Sequence, residues 1–234
     1  YLKKNGFKVY YDIGYYDGDD PYGRNFELNL KNLKLDLISP IYKKIFQSFG
    51  KNFGEVDDLL NLNTIYFNHF TGYYQDLNFF DKEYLLKLLE IKDSYNRNSV
   101  MIHMRRNDYI TLDEELQENY YIECLNKLKS KHTDCKVFVF TDDINYKKSS
   151  LGSHKISKVY NPSNESPLTT LKKMMSHEHF IIANSSLSLI AASAGAKKNS
   201  MVFYPEPWMR NSIVKIKNID PSWNVVKNIK NYSL

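Results

Sequence analysis

The segment Val100-Met101-Ile102-His103-Met104-Arg105-Arg106-Asn107-Asp108-Tyr109 decides the interpretation of this chain. Its first half is mostly apolar and predicts a buried strand of a parallel sheet, which stops at two adjacent arginines. In open α/β sheets, ligands bind beyond the carboxyl ends of the strands. Arginine carries a permanent planar charge whose geometry matches phosphate oxygens. The segment therefore predicts a phosphate or diphosphate site.

Composition places the chain among ordinary globular proteins. Of its 234 residues, 42% are hydrophobic and 25% are charged, so a buried core is expected and disorder is not. The net charge of +5 is mild, and no dense run of Lys and Arg predicts nucleic-acid binding. Cys124 and Cys135 lack the spacing of a metal site, which favours a reducing compartment. No apolar run approaches the roughly 20 residues that span a bilayer.

Strands and helices alternate from about residue 99 onward. Apolar residues recur at helical spacing from Tyr121 to Leu128, and Ser166 before Pro167 is typical of a helix start. After the strand that ends at Met104, further strands are predicted at 136–140, 156–160, 180–183 and 201–204. This alternation predicts an α/β fold with a parallel, doubly wound sheet.

The first part of the chain is less regular and is predicted to be a separate domain. Strands are expected at 8–12 and 64–70, and a helix at 83–90. The polar stretch 92–98 marks the predicted boundary. Two domains follow from this division, residues 1–95 and residues 96–234.

Three polar clusters each follow a predicted strand of the C-terminal sheet. They are Arg105-Arg106-Asn107-Asp108, Thr141-Asp142-Asp143 and Asn184-Ser185-Ser186. Because the carboxyl ends of parallel strands meet at one edge, we expect the clusters to converge there. The third cluster opens a helix, where free N–H groups and the helix dipole favour an anion. Aspartates accept hydrogen bonds from a ribose or a base, so the clusters together predict a nucleotide-diphosphate pocket.

Each candidate residue also has a structural interpretation. His103 is a candidate catalytic group or a satisfied core histidine. Asp108 is a candidate general base for an acceptor hydroxyl, or it fixes the loop by pairing with Arg105. Asp142 and Asp143 either contact the nucleotide or cap a helix that follows them. The remaining histidines show no ligand spacing, so we expect no metal site.

The motifs and their order resemble the α-1,2-fucosyltransferases of glycosyltransferase family eleven. Those enzymes carry His-x-Arg-Arg-Gly-Asp-Tyr, Phe-Ser-Asp-Asp and Ala-Asn-Ser-Ser/Thr-Phe-Ser-Trp-Trp segments in this order. The corresponding segments are His103-Met104-Arg105-Arg106-Asn107-Asp108-Tyr109, Phe140-Thr141-Asp142-Asp143 and Ala183-Asn184-Ser185-Ser186-Leu187-Ser188-Leu189-Ile190. Shorter matches at 24–28 and 72–75 extend the resemblance from about residue 3 to residue 210.

The resemblance implies a GT-B fold, in which two Rossmann-like domains face each other across a cleft. Residues 1–95 would form the acceptor side, and residues 96–234 would bind GDP-β-L-fucose. It also implies an inverting transfer of L-fucose to O2 of a terminal galactose, without a metal or other cofactor. The residues carried over for catalysis are His103, Arg105, Arg106 and Asp108. Those carried over for donor binding are Arg105, Arg106, Asp142, Asp143, Asn184, Ser185, Ser186 and Ser188.

The chain departs from the family pattern at three places. The family's N-terminal Gly-Gly-Leu-Gly-Asn-Gln segment has no counterpart in the 234 residues. Asn107 replaces a glycine, and asparagine is well able to adopt a positive φ at a turn. Leu189-Ile190 replaces a Trp-Trp pair, so packing or acceptor contacts behind the phosphate site are expected to differ.

Two other classes of protein stay open. One is a non-catalytic nucleotide-sugar or glycan-binding protein that keeps the donor pocket without the reaction. The other is a kinase or dehydrogenase, which is disfavoured because neither Gly-x-Gly-x-x-Gly nor Gly-x-x-x-x-Gly-Lys-Ser/Thr occurs. For the setting, we expect a cytoplasmic enzyme of cell-surface polysaccharide or lipopolysaccharide synthesis. Basic patches predict peripheral contact with the inner membrane face.

Overall fold

The computed structural model contains two compact units, Tyr1–Asp81 and Lys82–Leu234. The residues that it describes are 10–11, 36–37, 51–53, 68–70, 76–91, 95–161, 165–211 and 214–229. The motif matches at 24–28 and 72–75 lie outside these residues, as do most of the strands predicted at 8–12 and 64–70. The functional roles of the two predicted domains stay predictions.

The first unit contains two described pairs of short parallel strands. Strand β1 (Tyr10–Tyr11) pairs with β2 (Asp36–Leu37), and β3 (Lys51–Phe53) pairs with β4 (Asn68–Phe70). A short 3-10 helix, Leu77–Phe79, follows, and the side chain of Asp76 accepts a hydrogen bond from the amide of Asn78. These elements contain parts of both strands that the sequence predicts.

The second unit is built around one sheet. Its elements are α1 (Lys82–Leu88), β5 (Asn96–Met104), α2 (Asn107–Thr111), α3 (Glu118–Lys129), β6 (Lys136–Thr141), β7 (Ser150–Leu151), β8 (His154–Tyr160), α4 (Pro167–Met175), β9 (His177–Ile181), α5 (Ser186–Gly195), β10 (Val202–Glu206) and β11 (Asn224–Lys227). Within the described residues, seven strands lie in the order β11-β10-β9-β5-β6-β8-β7. All neighbours are parallel except β7 and β8, which are antiparallel. The predicted α/β class and mainly parallel sheet are confirmed.

Alternating residues of β5 and β6 fill the core on one face of the sheet. Val100, Ile102 and Met104 cluster there with the apolar face of α3, as the helical spacing from Tyr121 to Leu128 predicts. Burying such side chains removes apolar surface from water, which is the main stabilising contribution to the fold. None of the described helices is long and apolar enough to cross a membrane.

Strand β9 begins earlier than its sequence indicates. The apolar run predicts a start at Phe180, but the strand starts at His177, and both His177 and His179 are buried. Burial lowers the pKa of His177 to about 4 and also lowers the pKa of His179, so these rings are packed as neutral groups. The short strands β7 and β11 have no hydrophobic pattern that predicts them.

Helix α4 begins as the sequence predicts. The hydroxyl of Ser166 accepts a hydrogen bond from the amide of Thr169, and Pro167 occupies the first helical position. Leu171 and Met175 are buried as expected, whereas Leu168 is only partly buried. The helix packs closely against α5, and this contact depends on a glycine.

We expect Gly195→Ala to destabilise the protein by about 1–3 kcal/mol, because the contact between α4 and α5 has no space for a methyl group. A Cβ atom at Gly195 would lie 2.7 Å from the carbonyl oxygen of Met175 and 2.8 Å from Cζ of Phe180. Urea unfolding measures the loss. Ser193→Ala, a half-exposed site on the same helix, is the control and should change stability little; equal effects would contradict the prediction.

Candidate functional site

The structure brings the three polar clusters to one edge of the sheet. They follow β5, β6 and β9, which are adjacent parallel strands with β5 in the middle. Contacts between the clusters are direct: the amide of Arg106 donates to Asp142 Oδ1 at 2.8 Å, and the hydroxyl of Tyr109 donates to the carbonyl of Asn184 at 2.8 Å. The convergence expected from the sequence is therefore present in the fold.

Arg105 is held by two carboxylates. Its Nη2 donates to Asp108 Oδ2 at 3.0 Å, its Nε lies 2.9 Å from Asp108 Oδ1, and its Nη1 lies 2.9 Å from Asp142 Oδ2. The last two contacts are close ion pairs without hydrogen-bond geometry. The guanidinium also lies 5.7 Å from the centre of the Tyr109 ring, within cation–π distance. Three of its five N–H groups face carboxylates, and the other two have no partner among the described residues.

Arg106 is held more loosely than Arg105. Among the described residues, the contact to its side chain is the pair between Nε and Asp143 Oδ2 at 3.0 Å. Four N–H groups on its two terminal nitrogens lie outside this pair. The side chain is about as exposed as that of Arg105. Both arginines are therefore oriented by carboxylates and carry further N–H donors that have no partner among the described residues.

Asp142 anchors the start of helix α2. Its Oδ1 accepts from the amides of Arg106 and Asn107, at 2.8 and 3.4 Å, while its carbonyl accepts from Asn107 Nδ2. The interpretation of Asp142 and Asp143 as caps of a following helix is wrong, because a turn follows β6, in which Asp143 Oδ1 accepts from the amide of Asn145. Asp142 caps a helix from a different part of the chain.

The cluster contains one more carboxylate than guanidinium groups, so its net charge does not by itself attract an anion. Asp108, Asp142 and Asp143 face Arg105 and Arg106. The carboxylates oppose an incoming anion by charge, yet they also fix the two guanidinium planes. An anion gains only where fixed donors outweigh this repulsion, which makes recognition dependent on geometry rather than on net charge.

The start of helix α5 divides its polar residues into exposed and buried groups. Ser185 is the N-cap but makes no side-chain capping bond, and Ser186 is exposed. Ser188 is fully buried, and its hydroxyl donates to the carbonyls of Ala183 and Ser185. The Asn184 side chain is also buried, donating from Nδ2 to the carbonyl of Glu114 at 2.8 Å. Ser185 and Ser186 are thus the accessible part of this predicted donor site.

His103 is buried next to the arginines without a complete set of partners. Burial, reinforced by the charge of Arg105, lowers its pKa to about 3, so the ring is neutral at physiological pH. Its Nδ1 has no hydrogen-bond partner among the described residues, in contrast to the satisfied core histidine considered from the sequence. The ring therefore lies beside the arginines without adding positive charge to this edge of the sheet.

Stability is expected to fall as the pH drops from about 6.5 toward 4. The folded protein lowers the pKa of His177 from 6.5 to about 4, so its neutral form favours folding fully above 6.5 and progressively less below it. The shift corresponds to roughly 3 kcal/mol at most. Unfolding free energies across this pH range test it. His177→Gln should reduce the slope, and the buried His103, whose pKa is also lowered, accounts for further dependence in the same range. An unchanged slope would refute the assignment to His177.

A cluster around Glu114 and Arg210 borders the same edge and was not predicted. The buried Glu114 carboxylate accepts from the amides of Arg210 and Asn211, at 2.7 and 2.6 Å. The Arg210 side chain donates to the carbonyls of Asp113 and Glu115 and to Asn228 Oδ1. Nothing in local spacing joins residues almost one hundred positions apart. Among the described residues, no group of His, Cys, Asp and Glu is arranged to hold a metal ion.

Comparison with known proteins gives these clusters a family context. Residues 82–227 match the sequence profile of Glycosyl transferase family 11. The chain belongs to this family. An alpha-1,2-colitosyltransferase of Escherichia coli is 29% identical over 133 residues, which cover 53% of this chain and 45% of that relative. The chain therefore aligns with less than half of the colitosyltransferase. No solved structure matches the chain.

The family 11 match lies within the second compact unit. All three polar clusters and the Glu114–Arg210 cluster fall inside it. The resemblance to family 11 that the motifs indicate is thereby confirmed at the level of the family.

Proposed function

We propose that this protein is a glycosyltransferase that moves L-fucose from GDP-β-L-fucose to O2 of a terminal galactose. The observation that carries the proposal is the arginine pair of β5, oriented by aspartates beside the uncapped start of α5. A metal-free sugar-nucleotide transferase needs fixed donors for the departing diphosphate, and this edge supplies them. Membership of family 11 and the colitosyltransferase relative support a sugar transfer.

In this proposal the diphosphate is bound by two sets of donors. The N–H groups of Arg105 and Arg106 that have no partner in the described part of the chain form one set. The other is the start of α5, where Ser185, the Ser186 hydroxyl and the first amides of the helix face an anion favourably. Ser188 and the Asn184 side chain support the turn from inside, since both are buried. Asp142 and Asp143 hold the arginines and are also candidates for contact with the nucleoside.

The transfer itself needs little beyond orientation and charge stabilisation. The bond between C1 of fucose and the β-phosphate oxygen breaks, and the acceptor oxygen forms a bond to C1 from the opposite face. Negative charge grows on GDP and is met by the arginine donors. We assign Asp108 to holding Arg105, because both its oxygens contact that guanidinium. The acceptor hydroxyl gives up its proton to a general base as its bond to C1 forms.

The identity of the donor sugar is the most specific part of the proposal. Colitose is L-fucose without the hydroxyl at C3, so fucosyl and colitosyl transfer require the same nucleotide contacts and differ at one position of the sugar. The colitosyltransferase relative therefore supports the α-1,2 linkage and makes GDP-colitose the competing donor.

Donor and acceptor profiling of the full chain tests the function. Purified protein is incubated with GDP-fucose, GDP-colitose or GDP-mannose and with terminal-galactose oligosaccharides, with and without EDTA. We expect α-1,2-linked fucose on galactose and equal rates in EDTA. Preference for GDP-colitose would change the donor, and loss of transfer in EDTA would contradict the metal-independent mechanism. GDP binding without transfer or donor hydrolysis would identify a binding protein instead.

The architectural part of the proposal is a GT-B arrangement, with the donor bound by the C-terminal domain. The parallel sheet of the second unit, with polar clusters at its carboxyl edge, supports a Rossmann-like donor domain. Peripheral contact with anionic lipid at the inner membrane face stays a prediction, for which sedimentation with lipid vesicles is the direct measurement.

A further inference from the structure

Helix α2 carries the site but has almost no packing of its own. It spans Asn107–Thr111, directly after the arginines, and none of its residues is buried. Ile110 within it and Leu112 just after it are each 50% exposed. A five-residue helix without apolar burial is not stable by itself. Its position must therefore be fixed by polar contacts at its two ends.

The start of α2 is fixed by Asp142, and its end is fixed by Glu114. The amide of Glu114 donates to the carbonyl of Tyr109 at 2.8 Å, within α2, while the carbonyl of Glu114 accepts from Asn184 Nδ2 at 2.8 Å. Tyr109 in turn donates from its hydroxyl to the carbonyl of Asn184 at 2.8 Å. Glu114 thus links helix α2, which directly follows the two arginines, to the turn before α5.

The Arg210 side chain fixes the position of Glu114 by donating to the residues before and after it. Its Nη2 donates to the carbonyl of Asp113 at 2.5 Å, and its Nη1 donates to the carbonyl of Glu115 at 3.0 Å. The same Nη1 reaches Asn228 Oδ1 at 2.7 Å, at the end of β11. Only a guanidinium has donors in the right plane for three separate acceptors, because an ammonium is a single point of charge.

The geometry points to Glu114 and Arg210 as positioning residues of the transferase site, which hold α2 and its arginines at a fixed distance from the start of α5. This inference rests on the proposed function, since it assigns the two donor sets of the diphosphate site to one rigid frame. The third acceptor of the Arg210 side chain is Asn228, which directly follows β11, so this edge strand also helps to hold the two residues in position.

Glu114→Gln and Arg210→Lys test the inference. We expect each to lower kcat/KM for the donor by roughly 10- to 100-fold, because small displacements of positioned groups have effects of this size. Amide exchange at 107–112 should become at least about tenfold faster, while exchange in β6 stays unchanged. The positive charge that Arg210→Lys keeps should not be sufficient for activity. Glu123→Gln, at an exposed helical pair with Lys127, is the matched control and should behave as wild type.

The measurements distinguish a failure of this inference from a failure of the proposed function. A lower melting temperature with wild-type donor kinetics and wild-type exchange at 107–112 would overturn the inference and leave a merely structural role. Asn228→Ala removes only one contact of Arg210, so it provides the same test with a smaller effect if the first variants do not fold. If the wild-type protein transfers no sugar, the proposed function fails, and exchange at 107–112 in the variants decides this inference alone.

Discussion

Replacing Arg105 with alanine is expected to lower kcat for sugar transfer by roughly 100- to 1,000-fold, or about 3–4 kcal/mol of transition-state stabilisation. The reason is the orientation of its guanidinium, which contacts Asp108 and Asp142 through three N–H groups. In the proposed function, the other two N–H groups stabilise the departing diphosphate. Steady-state kinetics with the donor varied at saturating acceptor measure the effect.

Two further variants make this experiment specific to the guanidinium. Arg105→Lys keeps the charge but not the fork, so we expect it to recover little of the lost rate. Arg97→Ala removes an exposed arginine at the opposite end of the same strand and should leave the kinetics unchanged. A kcat within threefold of wild type for Arg105→Ala would remove this residue from the mechanism.

Asp142→Ala is expected to reduce kcat/KM for the donor by about 100-fold or more, although we place this carboxylate mainly in support of the arginines. It supplies the acceptor for the amides of Arg106 and Asn107 and faces Nη1 of Arg105. Without it, α2 loses its cap, and the partly buried amide of Arg106 and the exposed amide of Asn107 lose their partner. The loss is about 1–3 kcal/mol of stability, mainly from the Arg106 amide.

Kinetic and thermal measurements separate the two effects of this variant. Asp142→Asn keeps the shape and one acceptor oxygen but loses the charge, so it should fall between wild type and Asp142→Ala. Asp134→Ala, at an exposed loop position, is the control for removal of a surface carboxylate. Unchanged donor kinetics in Asp142→Ala would show that α2 is held by its other contacts alone.

Local sequence patterns predict the main elements because burial repeats with the period of each element. The apolar run before Arg105 and the spacing in Tyr121–Leu128 correspond to a buried strand and a buried helix face. The start of β9 escapes prediction because histidine is polar in isolation and is buried here as a neutral ring. Whether the neutral ring of a histidine is buried depends on its packing in the fold, so no residue scale contains it.

The arrangement of the site is only partly predictable for a related reason. Convergence of the clusters follows from the geometry of parallel strands, and so it can be derived from the sequence. The pairing of Arg105 with Asp142 and of Glu114 with the Arg210 amide cannot, because each joins segments that are distant along the chain. From the sequence, the pairing of Asp108 with Arg105 is one of two interpretations, whereas the contacts of Asp142 and Asp143 with the arginines become visible only in the fold.

The order of strands in the sheet has a consequence for biosynthesis. Ile102 of the central strand β5 pairs with Val139 of β6 on one side and with Ile181 of β9 on the other. Because β9 lies much later in the chain than β6, it is synthesised much later. Until residues 177–195 leave the ribosome, β5 presents an open edge and the polar clusters lack helix α5. Long-range parallel pairing is slow, and nascent chains with open edges are prone to aggregation. Expression yield should therefore respond to chaperones and to translation speed after β8 more than to changes in the mature site.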